Sequence, residues 1–202
     1  LMVSKPYQRI PIQDCGEPLV PIPFEQFAVV DPHPYAVLGA PYGERSPYYV
    51  RQGVLQALLQ AQQHLQNHHP GWRIQIFDAY RPIAVQQFMV DHTYDQLLAK
   101  WQHEQGTEKT PPKDQLLDQV YQNWAAPSHD LTTPPPHSTA AAIDITRVDN
   151  QQQAVDMGSA IDEISERMYL NHLAKQPGGE NLQHRRTSIS PPQPTAENRQ
   201  HH

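Results

Sequence analysis

Prolines set the first limit on what this chain can become. Within the first fifty residues, Pro18, Pro21, Pro23, Pro32, Pro34, Pro41 and Pro47 punctuate the chain at short intervals. A proline lacks the amide proton that a strand ladder needs, and its ring breaks a helix from within. The first fifty residues are therefore expected to form loops with short edge strands, with Phe24, Phe27, Tyr35, Tyr42, Tyr48 and Tyr49 among them. At Val50 the pattern changes. Val50, Val54, Leu55, Leu58, Ala61 and Leu65 recur at helical spacing with glutamine on the other face, which predicts an amphipathic helix to about Asn67, stopped by Pro70-Gly71.

Trp72, Ile74 and Ile76 alternate with Arg73 and Gln75, so Trp72 to Phe77 is predicted to be a half-buried strand. Pro82 suits the first turn of a helix, and Ile83 to Leu98 continues in helical rhythm. Gln102 to Lys113 reads as a loop and Asp114 to Trp124 as a short amphipathic helix. After the prolines Pro134-Pro135-Pro136, the alternation of Ile143 and Ile145 with Asp144 and Thr146 predicts another strand. Asp149-Asn150 is the expected turn into a returning strand.

Composition excludes several functions. A formal charge of -6 without a basic block argues against nucleic acid as a partner. No apolar run is long enough to span a membrane, and Leu1 to Pro6 lacks the apolar stretch of a secretory signal. The single cysteine, Cys15, excludes an internal disulfide and a cysteine-based zinc cluster. The expected setting is the cytoplasm, and the chain is compatible with a homo-oligomer.

Three stretches hold residues suited to chemistry. His137, in a turn before a strand, can fold back beside Asp144, and an imidazole with a carboxylate makes two of the three protein ligands of a hydrolytic zinc site. The bland alternative is a solvated His137 beside an N-cap Ser138. Arg81, in Asp78-Ala79-Tyr80-Arg81-Pro82, lies where a strand meets a helix and can stabilise an oxyanion. Its bland alternative is a surface arginine paired with Asp78. Asp162, in Asp156-Met157-Gly158-Ser159-Ala160-Ile161-Asp162, can hold a substrate ammonium, or it is part of an acidic surface turn.

Taken in order, Asp78-Ala79-Tyr80-Arg81-Pro82, His137-Ser138-Thr139-Ala140-Ala141-Ala142-Ile143-Asp144 and Met157-Gly158-Ser159-Ala160-Ile161-Asp162 resemble the motifs of the D-alanyl-D-alanine dipeptidases, the zinc peptidase family that includes the vancomycin-resistance dipeptidase. The resemblance covers most of residues 5–172. It implies an α+β fold of hedgehog-like architecture, in which a small antiparallel sheet is flanked by helices and carries one zinc ion on a face. Residues 1–175 would form this domain, and 176–202, whose polar composition cannot build a core, a loop or disordered tail. The resemblance assigns His137 and Asp144 to the metal, Arg81 to the tetrahedral intermediate and Asp162 to the amino terminus of the substrate, D-Ala-D-Ala.

The chain departs from the family's pattern in two respects. The family draws its general base and third zinc ligand from a late Glu-x-x-His motif. None of Glu163, Glu166, Glu180 and Glu197 has a histidine three residues later. The expectation is therefore a C-terminally truncated dipeptidase; the alternative is a homologue that binds dipeptides or cell-wall fragments without turnover. The family usually has glycine where Ala140 stands, so a positive φ there would cost stability.

Overall fold

The computed structural model describes residues 6–106, 111–159 and 179. In chain order the strands and α-helices are β1 (Leu19–Pro21), β2 (Ala28–Val29), α1 (Pro34–Val37), β3 (Tyr49–Arg51), α2 (Gln52–His68), β4 (Arg73–Asp78), α3 (Ile83–Gln105), α4 (Lys113–Asn123) and β5 (Asp144–Val148). The class is α+β, as expected. Two compact units share the chain: Leu1–Pro21, Val30–Gln52 and Asp78–Ile143 form one, and Ile22–Val29, Gly53–Phe77 and Asp144–His202 the other.

In the first unit, proline has the expected effect. Before residue 50 the described residues hold short strands, a 3-10 turn at Pro6–Arg9 and the four-residue α1. β1 and β3 pair antiparallel, with Val20 opposite Val50. This corrects the expected start of the long helix, because Val50 is a completely buried strand residue and α2 begins at Gln52. Val50 shares the helical spacing by coincidence; its β-branched side chain beside Tyr48 and Tyr49 suits a strand. α3 runs to Gln105, seven residues past the expected end at Leu98, and stops where Gly106 takes φ 86° and donates its N–H to Gln102. Polarity made Gln102 to Gln105 read as loop, although glutamine and glutamate favour a helix. α4 packs on α3 and buries Leu116 and Val120, and Trp124 Nε1 donates to Thr93 Oγ1 at 2.9 Å. Ala40, Tyr42, Val85 and Met89 form a core cluster, with Tyr35, Phe88 and Trp124 against it.

In the second unit, the three-stranded sheet has the order β2-β4-β5, with β2 parallel to β4 and Ala28 opposite Gln75. β4 shows the expected alternation, Ile74 and Ile76 being completely buried, but Phe77 and Asp78 are buried as well. α2 buries Leu58, Ala61, Gln62 and Leu65, one stripe at helical spacing. Gln62 is the polar member of the stripe, and both ends of its amide are satisfied. Nε2 donates to Trp72 O at 3.0 Å and Oε1 accepts from Ile74 N at 2.7 Å. Beyond β5 the expected turn is present. Asp149 Oδ1 accepts from the backbone N–H of Gln151 and Gln153, and Val148 bridges antiparallel to Ala154.

Back in the first unit, a 3-10 turn spans Pro136–Thr139 and ends at Ala140, which adopts φ 58° and ψ 22°. The conditional expectation for this position is met, because a left-handed conformation costs a non-glycine residue about 1–2 kcal/mol. Ala140→Gly is expected to raise the melting temperature by an amount corresponding to about 0.5–1 kcal/mol, since glycine's extra freedom in the unfolded chain offsets part of the relief. Thermal unfolding followed by circular dichroism measures this. An unchanged or lower midpoint would show that the left-handed turn is not a burden.

Candidate active site

β4 ends on Asp78 and α3 starts just after Pro82, so Ala79, Tyr80 and Arg81 lie between two rigid elements. Main-chain bonds fasten this junction to its surroundings. Tyr80 N donates to Pro47 O at 2.9 Å, Arg81 N to His137 O at 3.2 Å, and Ser138 Oγ to Arg81 O at 2.8 Å. Ser138 thus serves the junction and is not the N-cap of a helix. Arg51 ties down the far side of the same turn, its N–H reaching Ala140 O and its Nε reaching Thr139 O, each at 3.0 Å.

His137 is held in one orientation. Its Nδ1 lies 3.0 Å from Ala79 O and 3.4 Å from Asp78 Oδ2. A carbonyl can only accept, so this network assigns the proton to Nδ1 and the lone pair to Nε2. That arrangement, one ring nitrogen donating to an oxygen while the other keeps its lone pair, is the one in which protein histidines bind metals.

Arg81 is only 5% exposed, which corrects the bland reading of a surface residue while keeping its pairing with Asp78. Nε donates to Asp78 Oδ2 at 3.0 Å, and Nη2 donates to the same oxygen. Nη1 donates to Gln86 Oε1 at 2.9 Å, and Gln86 is itself fixed by donating Nε2 to Ala125 O at 2.6 Å. Two aromatic rings complete the clamp. The guanidinium carbon stands 5.1 Å from the Tyr35 ring centre and 4.9 Å from that of Trp124. Cation–π attraction and the forked bonds fix both the position and the plane of the group.

Asp78 is the hub of this arrangement, with no solvent exposure. Its Oδ1 lies 3.3 Å from Nε2 of His33, whose Nδ1 accepts from Tyr35 N and so caps α1. Burial pushes the Asp78 carboxyl up, but His33, Arg81 and His137 outweigh it and hold the group below its ordinary value of 3.8. Tyr35, Tyr42 and Tyr48 meet the His33 ring edge-on at 5.1, 5.5 and 5.6 Å. Tyr48 donates to Val30 O, and burial followed by the charges of Asp31 and Asp78 pushes its hydroxyl up to about 12. Tyr48 is therefore a protonated core residue.

Among the residues singled out from sequence, Arg81 and His137 thus meet around Asp78. Asp144, half-buried, is the first residue of β5 and directly follows Ile143, the last residue of the first unit. Asp162 lies outside the described residues, as do Glu163, Glu166, Glu180 and Glu197. Sequence reading missed His33 and Gln86, and saw Asp78 only as a partner. Gln86 carried a signal, since it shares the buried stripe of α3 with Val85, Met89 and Val90. A glutamine on an apolar stripe implies a buried hydrogen-bond partner. His33 carried none.

Known proteins resemble this chain over most of its length. The family model described as D-ala-D-ala dipeptidase matches residues 28–189. A protein of Synechocystis sp. (strain ATCC 27184 / PCC 6803 / Kazusa) named D-alanyl-D-alanine dipeptidase is 55% identical over 169 residues, which are 83% of this chain and 68% of that protein. No solved structure matches.

Proposed function

The chain belongs to the D-alanyl-D-alanine dipeptidase family, and from that premise we propose that it hydrolyses D-Ala-D-Ala to two D-alanines with the help of one zinc ion. The observation that carries this reading is the clamped Arg81 beside an oriented His137. A guanidinium fixed by Asp78, Gln86, Tyr35 and Trp124 needs no reorganisation as negative charge develops on a carbonyl oxygen, which is the condition for electrostatic stabilisation of a tetrahedral intermediate.

His137 and Asp144 are the proposed metal ligands. In support, His137 is oriented by Ala79 and Asp78 with its Nε2 left to bind, and imidazole and carboxylate are ligands that zinc accepts. Asp78 is engaged by Arg81 and orients His137, so it acts best as the supporting carboxylate. When bound, the ion supplies a Lewis acid that polarises water and the scissile carbonyl. Asp162 would take the substrate ammonium. The domain would span residues 1–175, with 176–202 as a tail, and it would act in the cytoplasm as a monomer or a homo-oligomer.

Release of D-alanine from D-Ala-D-Ala by this 202-residue chain, with zinc added and L-Ala-L-Ala as control, tests the reading. Turnover that chelation abolishes is the expected result. The second reading is a homologue that binds dipeptides or wall fragments without turnover. Saturable binding of D-Ala-D-Ala to the zinc-loaded chain, with no D-alanine formed, would select that reading over hydrolysis. Asp144→Ala is expected to weaken zinc binding severely in either case, as competition with a chromogenic chelator would show. Unaltered affinity would remove Asp144 from the ligand set.

A further inference from the structure

α2 carries two histidines one turn apart near its C-terminal end, His64 and His68, the first half-buried and the second exposed. Their ring centres are 4.4 Å apart, with the planes tilted by 45°. Two imidazoles at i and i+4 lie on one helix face and can close on a single ion, the spacing used by helical zinc sites. Spacing alone would be a weak argument, but the structure adds a second observation. His68 Nδ1 lies 2.9 Å from the backbone oxygen of His64. That oxygen can only accept, so the proton is on Nδ1 and the lone pair of His68 is on Nε2, the outer nitrogen. This carbonyl-to-imidazole bond orients a ligating histidine.

The position on the helix helps too. Unpaired carbonyls make the C-terminal turn of a helix negative and therefore favourable to a cation. α2 has no lysine, arginine, aspartate or glutamate, so no charged side chain of the helix competes for the ion or repels it. We propose that His64 and His68 form a two-imidazole chelate for a divalent transition-metal ion of the imidazole-preferring class, nickel, copper or zinc. Water would fill the remaining coordination positions. This donor pair shares no residue with His137 and Asp144, and it does not depend on the hydrolytic reading.

Titration of the full chain with nickel chloride, followed through the imidazole proton resonances, tests the proposal. The His64 and His68 signals are expected to broaden together, at a lower nickel concentration than those of His92 and His103 on α3. His64→Ala and His68→Ala should each weaken nickel binding at the remaining partner by about 100-fold, because two-point attachment becomes one-point. The far-ultraviolet circular dichroism of each variant establishes that α2 is intact. The chelate is wrong if His64 and His68 broaden no earlier than His92 and His103. It is equally wrong if removing one histidine leaves the nickel response of the other unchanged in a folded variant.

Discussion

Asp78→Ala is expected to destabilise the protein by about 3–5 kcal/mol, the cost of removing one partner from a buried ion pair. Asp78 is fully buried, and Arg81, His33 and His137 all face its carboxylate. Without it the Arg81 guanidinium keeps Gln86 and the two aromatic rings but loses its only described anionic partner. Asp78→Asn keeps the volume and one acceptor, so its loss should be smaller. The pH dependence separates charge from shape. A carboxyl held below its ordinary value of 3.8 contributes its full stability above that value, and the contribution disappears as pH falls through the lower value of the folded state. The stability gap between wild type and Asp78→Asn, measured by urea unfolding, should therefore be widest near neutrality and narrow below about pH 3.8. A gap of constant width down to about pH 3 would mean that the charge of Asp78 contributes little.

Arg81→Ala should lower the turnover number on D-Ala-D-Ala by about 10²–10³-fold, the usual effect of losing one charge-stabilising donor, with a smaller change in KM. Arg81→Lys should recover little of that activity. An ammonium lacks the planar fork that donates to Asp78 and Gln86 at once and meets the Tyr35 and Trp124 rings. Steady-state kinetics of the zinc-supplied protein provide the measurement. Full turnover by Arg81→Ala would remove the arginine from the chemistry and leave it a structural ion-pair partner.

How much of this arrangement can be read from the sequence depends on how far each residue's partners lie along the chain. β4 was legible, because Ile74 and Ile76 alternate with Arg73 and Gln75 over a few residues and nothing distant is needed to see it. α2 was legible except at its start, where Val50 fits a helical period yet pairs with Val20 some thirty residues earlier. Arg81 and His137 could be found through motifs, whereas most of their environment could not. The pairing with Asp78, three residues away, is readable, but the Arg81 clamp also draws on Tyr35, Gln86 and Trp124, and a single sequence contains no sign that these reach the guanidinium. The same holds for His33, which sits among prolines and reads as a loop residue until its contact with Asp78 is seen.

The bonds that tie the 3-10 turn down have a consequence for how the protein is made. His137 reaches Ala79 across 58 residues of chain, and Arg51 reaches Thr139 across 88. Contacts of such long range form slowly, and on a ribosome they cannot form at all until the later partner has emerged. Between the emergence of Arg81 and that of His137, Asp78 and Arg81 wait without the bonds of that turn. A chain stalled before residue 137 would lack the bonds that His137 and Ser138 make to Ala79 and Arg81, so the junction takes its final form only when this later segment is present.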